Sequence, residues 1–305
     1  MIAVVGSLNM DLVVTVRRRP RTGETVLGSD VRFVGGGKGA NQAIAAARLG
    51  GQVHMVGKVG DDPFGSTLIA NLAAAGVATE AVQVEKGVSS GVAFITLDAA
   101  GDNQIIVSPG ANARLMPADV RAQAGLIGQS RVLLLQLETP LPTVVEAARV
   151  AREQGVTVVL DPAPAQPLPP ELFRLVDFLT PNEHEAAALS RQPITDLRSA
   201  KLAAAKLVSQ GARQVLLKLG GEGVLFACGN RFEHMPAFPV KVVDTTAAGD
   251  AFGAAFAVAW LEHGDVYRAL SFANAVGALT VTKAGAQSSL PYRKEVEAFL
   301  AARGA

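Results

Sequence analysis

From about residue 43 onward, apolar runs of strand length alternate with Ala/Leu stretches of helical period, and this alternation predicts βαβ units around a parallel sheet. RVLLLQLE, VTVVLDPAP and QVLLKLG carry apolar side chains at consecutive positions, as strands do when both faces are covered. Between such runs, LPTVVEAARVAREQG and DLRSAKLAAAKLVSQG place apolar residues three and four apart and end in glycine, so the crossovers are expected to be helices. Two regions break the pattern. Roughly Asp11 to Val34 reads as a strand, a Pro/Gly turn and a second strand. Gly91 to Val107 reads as a hairpin around the Asp-Ala-Ala-Gly-Asp turn at 98–102. Both predict hairpin strands with one polar face and no crossover helix behind them, which assigns them to a small β-sheet lid projecting from the main body. Pro162 to Pro170 reads as a loop after a strand. No repeat or linker divides the chain, so residues 1–305 are expected to form one α/β domain.

Composition narrows the partners. With 305 residues, 49% of them hydrophobic, one Trp and two Tyr, the chain can bury a large aliphatic core. Its 28 basic and 27 acidic residues form no long like-charge run, which argues against a nucleic-acid or anionic-membrane partner and toward small neutral or phosphorylated ligands. Asn9 and Asp11 interrupt the first apolar run too early for a signal peptide, and AAFAVAWL is too short to cross a bilayer. Cys228 has no second cysteine to pair with and follows Phe226-Ala227, so a buried thiol in a reducing cytoplasm is expected.

Candidate chemistry gathers in glycine-rich and strand-end segments. GGGKGANQAIAAARLG, from Gly35, is not a Walker loop, because Arg32 stands where its first glycine belongs and Gly39 follows Lys38. Gly35, Gly37 and Ala40 fit the loose dinucleotide fingerprint, but Met55 to Val59 offers no acid for a ribose. What remains is a glycine turn before an Ala-rich helix, with Lys38 and Asn41 on its first turn beside bare backbone that a polyhydroxylated ligand could approach. Asn9 and Asp11, two apart on a strand, share a face and could each bridge sugar hydroxyls; a solvated edge is the alternative. Glu138 follows a fully apolar strand, at the end where open α/β sheets bind ligands, or simply enters a helix. In TPNEHEAAAL, Asn182 and Glu185 either cap a helix or stand beside a hydrated Mg²⁺. Gly220, Gly221 and Gly223 form a hairpin turn or let backbone approach a nucleotide.

VVDTTAAGDAFG is read as a strand end, VVDTT, running into a helix at AAGD. The amides of Ala247, Ala248 and Gly249 would then lie unsatisfied at a positive helix end, where small side chains leave room for an anion. Asp250, alternatively a helix cap, is placed to take a proton from a substrate hydroxyl while those amides stabilise a transferring phosphoryl group.

In this order the motifs resemble the ribokinase-like carbohydrate kinases: GGGKGANQA early, TPNEHEA in the middle, DTTAAGDAFGAAFA late and KAGAQSSLP near the end. The resemblance spans essentially the whole chain. It implies a three-layer α/β/α fold with a mostly parallel sheet and a β lid, ATP-dependent phosphorylation of D-ribose at its 5-hydroxyl, and a homodimer clasped through the lids. It implies sugar contacts from Asn9, Asp11, Gly36, Gly37, Lys38, Gly39, Asn41 and Glu138, with Asp250 as base. ATP would meet Asn182, Lys218, Leu219, Gly220, Gly221, Gly223, Gly249 and Asn274, the last standing where the family commonly has His against the adenine. Glu185 would hold magnesium through water. An activating potassium ion would lie among Asp244, Thr246, Thr280, Lys283, Gly285 and Ser289, mostly on backbone carbonyls. Sister kinases of deoxyribose, fructose, sugar acids or nucleosides, a non-catalytic sugar-binding regulator and a nicotinamide-dependent oxidoreductase are the competing readings.

Overall fold

The structure, a computed structural model, describes residues 1–99 and 103–304, so part of the turn expected at 98–102 lies outside the described residues. In chain order the strands are β1 Ile2–Val5, β2 Asn9–Thr15, β3 Arg32–Gly36, β4 Val53–Gly60, β5 Val82–Glu85, β6 Gly91–Leu97 and β7 Asn103–Ser108. They continue with β8 Val132–Leu135, β9 Thr157–Leu160, β10 Phe178–Leu179, β11 Gln214–Lys218, β12 Val224–Cys228 and β13 Arg231–Met235.

The central sheet runs β13-β12-β11-β10-β9-β8-β1-β4-β5. It is parallel from β11 to β5, with β12 and β13 added antiparallel at one edge. Alternate residues of each central strand enter opposite cores. Ile2 and Val4 of β1 pack toward helices Lys38–Arg48, Ala248–His263 and Val266–Thr280, whereas Ala3 and Val5 pack toward Leu141–Glu153 and Leu197–Ser209. Both faces are therefore covered, which explains why these strands read as unbroken apolar runs. The predicted three-layer arrangement is the observed one. Gly155 and Gly211, with φ of 70° and 119°, stop the two crossover helices where the sequence placed their ends.

Helix Ala248–His263 lies across the sheet because its faces are apolar nearly all round, with Ala251 to Ala259 buried. Phe178 of β10 meets Phe256 and Trp260 edge-on at 4.7 and 4.9 Å between ring centroids. Phe256→Ala should cost about 3–5 kcal/mol. This packing fixes the helix N-terminus, and Asp250 with it, over the carboxyl ends of the parallel strands.

A second sheet, β3-β2-β6-β7, joins the two predicted hairpins through a parallel pairing of β2 with β6. It departs from expectation twice. β3 leads almost directly into helix Lys38–Arg48, so the first hairpin is wired to the main body rather than set apart from helices. All of β7 is exposed, and in place of a clean polar face Phe94, Ile105, Ile106 and Val107 meet solvent.

Two further readings are corrected. VVDTT is not a strand: Val242 and Val243 are exposed, and the segment is held to the end of helix Val266–Thr280 by the Val243 and Asp244 amides donating to the Val281 carbonyl. Cys228 is exposed, because it ends β12 at the Gly229 turn, one step past buried Ala227. Among the described residues no helix is long and apolar enough to cross a membrane.

Candidate active site

β1 is flanked by β4 on one side and β8 on the other, so the chain order reverses there and a crevice opens beyond the strand ends. Ser7 follows β1 and Glu138 follows β8. One oxygen of Glu138, Oε2, accepts from the Ser7 hydroxyl at 2.5 Å, the Lys38 amide at 3.0 Å and Asn9 Nδ2 at 3.5 Å. A carboxylate thus sits at the positive start of helix Lys38–Arg48 and ties it to β1. Asn112, in the turn after β7, takes the other end of the Asn9 amide: its Nδ2 donates to Asn9 Oδ1 at 2.8 Å, and its Oδ1 accepts from the Leu8 amide at 2.9 Å.

The glycines of GGGKG are needed for a reason other than open backbone. A Cβ on Gly37, whose φ is 86°, would lie 2.7 Å from the Asn9 nitrogen, one on Gly39 would lie 2.6 Å from the Ser7 nitrogen, and one on Gly36 would run into the Asp11 carboxylate. The run is bare so that β3 and the helix start can lie against Ser7, Asn9 and Asp11. Since β3 pairs antiparallel with β2 in the small sheet, the stretch is no dinucleotide-binding βαβ unit.

Asp250 is 4% exposed on the first turn of its helix. Its Oδ2 accepts from Asn41 Nδ2 at 2.9 Å, while its Oδ1 and the Oδ1 of Asn41 are buried without partners. Burial pushes the Asp250 carboxyl up to about 6; the Lys38 charge and the Asn41 bond pull the other way, and Asp161 and Glu138 push further up. Asp11 is pushed up to about 7, by burial first and then by the charges of Glu138 and Asp250. Lys38 binds its proton more tightly than usual because Asp250, above all, faces it. Several acids therefore crowd one ammonium, a set of acceptors that donor hydroxyls can satisfy.

Ala247 caps the helix with φ of 60°, in the left-handed region, and Ala248 begins it. The expectation of three free amides holds only in part, because the Ala248 N–H donates to the Thr245 carbonyl at 3.2 Å; Gly249 borders the adjoining cavity. That cavity, of about 360 Å³, lies between the Gly220–Gly223 turn, the segment 237–242 and helix Val266–Thr280. Asn182, Lys218, Gly220, Gly221, Gly223, Gly249 and Asn274 line it as predicted, whereas Leu219 turns into the core. Its apolar wall of Phe238, Val240, Phe252 and Val281 gave no sequence signal. Gly223, with φ of 100° and no room for a Cβ against the Met235 carbonyl, sets the turn. Asn274 Nδ2 donates to the Pro236 carbonyl at 3.3 Å.

The capping reading of Asn182 and Glu185 is realised: Glu185 accepts from the Asn182 amide at 2.8 Å and from its side chain at 2.9 Å, and Asn182 accepts from the Glu185 amide at 2.9 Å. Burial and Asp161 raise the Glu185 carboxyl, against Lys218. Farther along, Asp244 accepts from the Thr246 amide and hydroxyl at 2.9 and 2.6 Å and from the Gly285 amide at 2.8 Å, so it joins the two loops predicted to hold a cation. Thr280 and Ser289 are buried, while Lys283 turns outward to Glu295 at 2.6 Å.

The site thus combines a buried carboxylate, a helix start and two adjoining compartments, one crowded with acids, amides and an ammonium and one walled largely by apolar side chains and glycine backbone. That is the layout of a phosphotransferase acting on a small hydroxylated acceptor. The pfkB family carbohydrate kinase profile matches residues 1–293, and the chain belongs to that family. It is 46% identical over 299 residues to a ribokinase of Bacillus subtilis, covering 98% of this chain and 99% of that one. It is 38% identical to a deoxyribokinase of Salmonella typhi, with 98% of each covered. The structure of Arabidopsis thaliana ribokinase complexed with ribose and ATP superposes with a TM-score of 0.91 at 35% identity, over 98% of both chains.

Proposed function

We propose that this chain is an ATP-dependent kinase of D-ribose, giving D-ribose 5-phosphate and ADP. The observation that carries the reading is the buried, unpartnered Oδ1 of Asp250, beside the unpartnered Oδ1 of Asn41, one residue from the Gly249 that borders the nucleotide cavity. Asp250 takes the proton of the 5-hydroxyl as the sugar oxygen bonds to the γ-phosphorus and the bond to the β,γ-bridging oxygen breaks. The Ala247 and Gly249 amides face the charge that spreads on the phosphoryl oxygens, and Ala248 joins them if it releases Thr245. Asn9, Asp11, Lys38, Asn41 and Glu138, carried on the Gly36–Gly39 turn and its neighbours, bind the sugar. The whole chain acts as one kinase domain, with the small sheet as a lid that excludes water.

Magnesium fits beside Asn182 and Glu185, since a hydrated cation relieves a carboxyl that is buried near Asp161. When bound it neutralises triphosphate charge. Potassium fits among Asp244, Thr246, Thr280, Lys283, Gly285 and Ser289, where the Lys283 ammonium is turned away and does not compete. The exposed apolar residues of β6 and β7 support a homodimer joined through the small sheets, and the single unpaired cysteine supports a cytoplasmic setting.

The deoxyribokinase relative supports deoxyribose as a second reading. An ATP-coupled acceptor panel decides between them. Ribose is expected to give the highest kcat/KM, because a site built to bond a hydroxyl leaves groups unpaired when it is missing. A rival acceptor better by about tenfold, near 1.4 kcal/mol of transition-state binding, overturns the assignment. Ribose binding without turnover would leave a sugar-binding protein instead.

A further inference from the structure

Asp161 and Lys218 carry a charge pair that no motif announces. Asp161 follows β9, Lys218 ends β11, and the two-residue β10 lies between them. Neighbouring strands stand about 4.8 Å apart, so the pair spans roughly twice that across the short strand, a reach that the long lysine stem makes possible. Lys218 Nζ donates to Asp161 Oδ1 at 2.9 Å, and the two side chains are only 12% and 4% exposed. Buried charges of this kind persist when each is held by the other.

The ammonium has a second neighbour. A Cβ built on Gly249 would lie 3.0 Å from Lys218 Nζ, so the charge rests against the first turn of helix Ala248–His263 and faces the nucleotide cavity that Lys218 helps to line. Asp161 itself is fixed from the other side. Its Oδ2 accepts from Gln42 Nε2 at 3.4 Å, and Gln42 Oε1 accepts from Gln136 Nε2 at 2.6 Å. Gln42 sits on helix Lys38–Arg48, one residue after Asn41, the partner of Asp250. A continuous chain of polar contacts thus runs from the sugar-side helix to a cation beside the helix start.

We propose that Asp161 is a positioning residue for phosphoryl transfer: through its buried ion pair it holds the Lys218 ammonium against Gly249, where the migrating phosphoryl group passes. Lys218 then acts as a fixed positive charge that meets the γ-phosphate as its charge spreads, and the Gln42 contact sets that charge in register with the acceptor. The inference rests on the kinase reading above and deepens it.

The test compares the wild type with Asp161→Asn, Lys218→Met and the double variant, each measured for kcat, for KM of ATP and ribose, for binding of a nonhydrolysable ATP analogue by calorimetry and for thermal midpoint. Asp161→Asn is expected to lower kcat between about tenfold and a hundredfold, the scale of a misplacement near 1 Å, while the KM of ribose moves less than about twofold. Because the residues act as one unit, the double variant should be no slower than Lys218→Met alone. It should also recover thermal stability, since neither charge is left unpaired, yet stay slow. If the double variant recovers rate together with stability, the pair is structural and the proposal falls. It falls equally if Asp161→Asn keeps kcat within about twofold or if the two losses multiply. Should Asp161→Asn fail to fold, the double variant against Lys218→Met still decides. Calorimetry with a nonhydrolysable ATP analogue separates this outcome from the kinase reading: no turnover on any acceptor defeats the reading, whereas altered affinity for the analogue in Asp161→Asn still reports displacement of Lys218.

Discussion

Around Asp250 the walls are charged and interlocked, whereas the cavity that begins one residue away at Gly249 is walled largely by Phe238, Val240, Phe252 and Val281. The side proposed to take the sugar holds Asp11, Lys38, Glu138 and Asp250 in one cluster and leaves acceptor atoms of Asn41 and Asp250 unsatisfied. The side proposed for the nucleotide owes its shape to a glycine turn and to apolar packing. One compartment is electrostatically tense before a ligand arrives; the other, the buried Lys218–Asp161 pair at its border apart, is shaped by packing. Changes on the first side should therefore act on rate and on pH dependence, and changes on the second, the Lys218–Asp161 pair apart, on stability and nucleotide affinity.

The strongest way to test the contrast is Asp250→Ala. Loss of a general base costs about 10²- to 10⁴-fold, so kcat should fall by that factor. Calorimetry should find ribose still bound, because Asn9, Asp11, Lys38 and Glu138 remain. A variant that turns over at the wild-type rate breaks the assignment of the base.

The second test is pH. Asp250 must be ionised to accept a proton, and its carboxyl lies at about 6, so kcat/KM should decline below pH 6 by up to about tenfold per unit. Stability should run the other way. For Asp11 the folded value is about 7 and the unfolded one 3.8, so between these limits the folded state holds the extra proton and stability rises as pH falls. Above about pH 7 the full cost of ionised Asp11 is present. Asp11→Asn should therefore melt higher than the wild type at pH 8, by roughly 2–4 °C for each kcal/mol relieved, and the gap should close near pH 4. It should also bind ribose more weakly. Equal melting at pH 8 would mean that the carboxylate cluster is not tense.

Third comes Gly223→Ala. The residue has a left-handed φ of 100° and a carbonyl where a Cβ would go, so the turn must shift. A loss on the order of 1–3 kcal/mol is expected by chemical denaturation, with a raised KM for ATP and little change in the KM for ribose. An effect confined to ribose would join the two compartments that the structure separates.

Much of this was legible in the sequence, for identifiable reasons. Continuous apolar runs located the buried parallel strands, with Glu138 standing out just past the end of one, and Asp250 stood out among the small residues that start a helix. What escaped reading depends on contacts between residues distant in the chain. Ser7 and Glu138 are 131 positions apart, Asn112 and Asn9 are 103 apart, and Asp161 and Lys218 are 57 apart. No local pattern marks such partners. VVDTT misled because its β-branched residues, strand formers by propensity, serve as an exposed strap beside the nucleotide cavity. Cys228 misled because one further step along a buried strand reached the turn.

The smallest effect expected is that of Asn274→Ala. Asn274 is 8% exposed, lines the nucleotide cavity and bonds the Pro236 carbonyl, which fastens helix Val266–Thr280 to the strap at 236–240. Removing one such hydrogen bond costs about 0.5–1.5 kcal/mol, so the KM for ATP should rise roughly two- to tenfold. If the nucleotide side only shapes and holds, kcat at saturating ATP should stay within about twofold, since an interaction made equally in the ground and transition states does not change it. A fall in kcat at constant KM would show that Asn274 is felt only in the transition state. The contrast between a tense sugar side and a merely shaped nucleotide side would then have to be redrawn with the boundary at Asn274 rather than at Gly249.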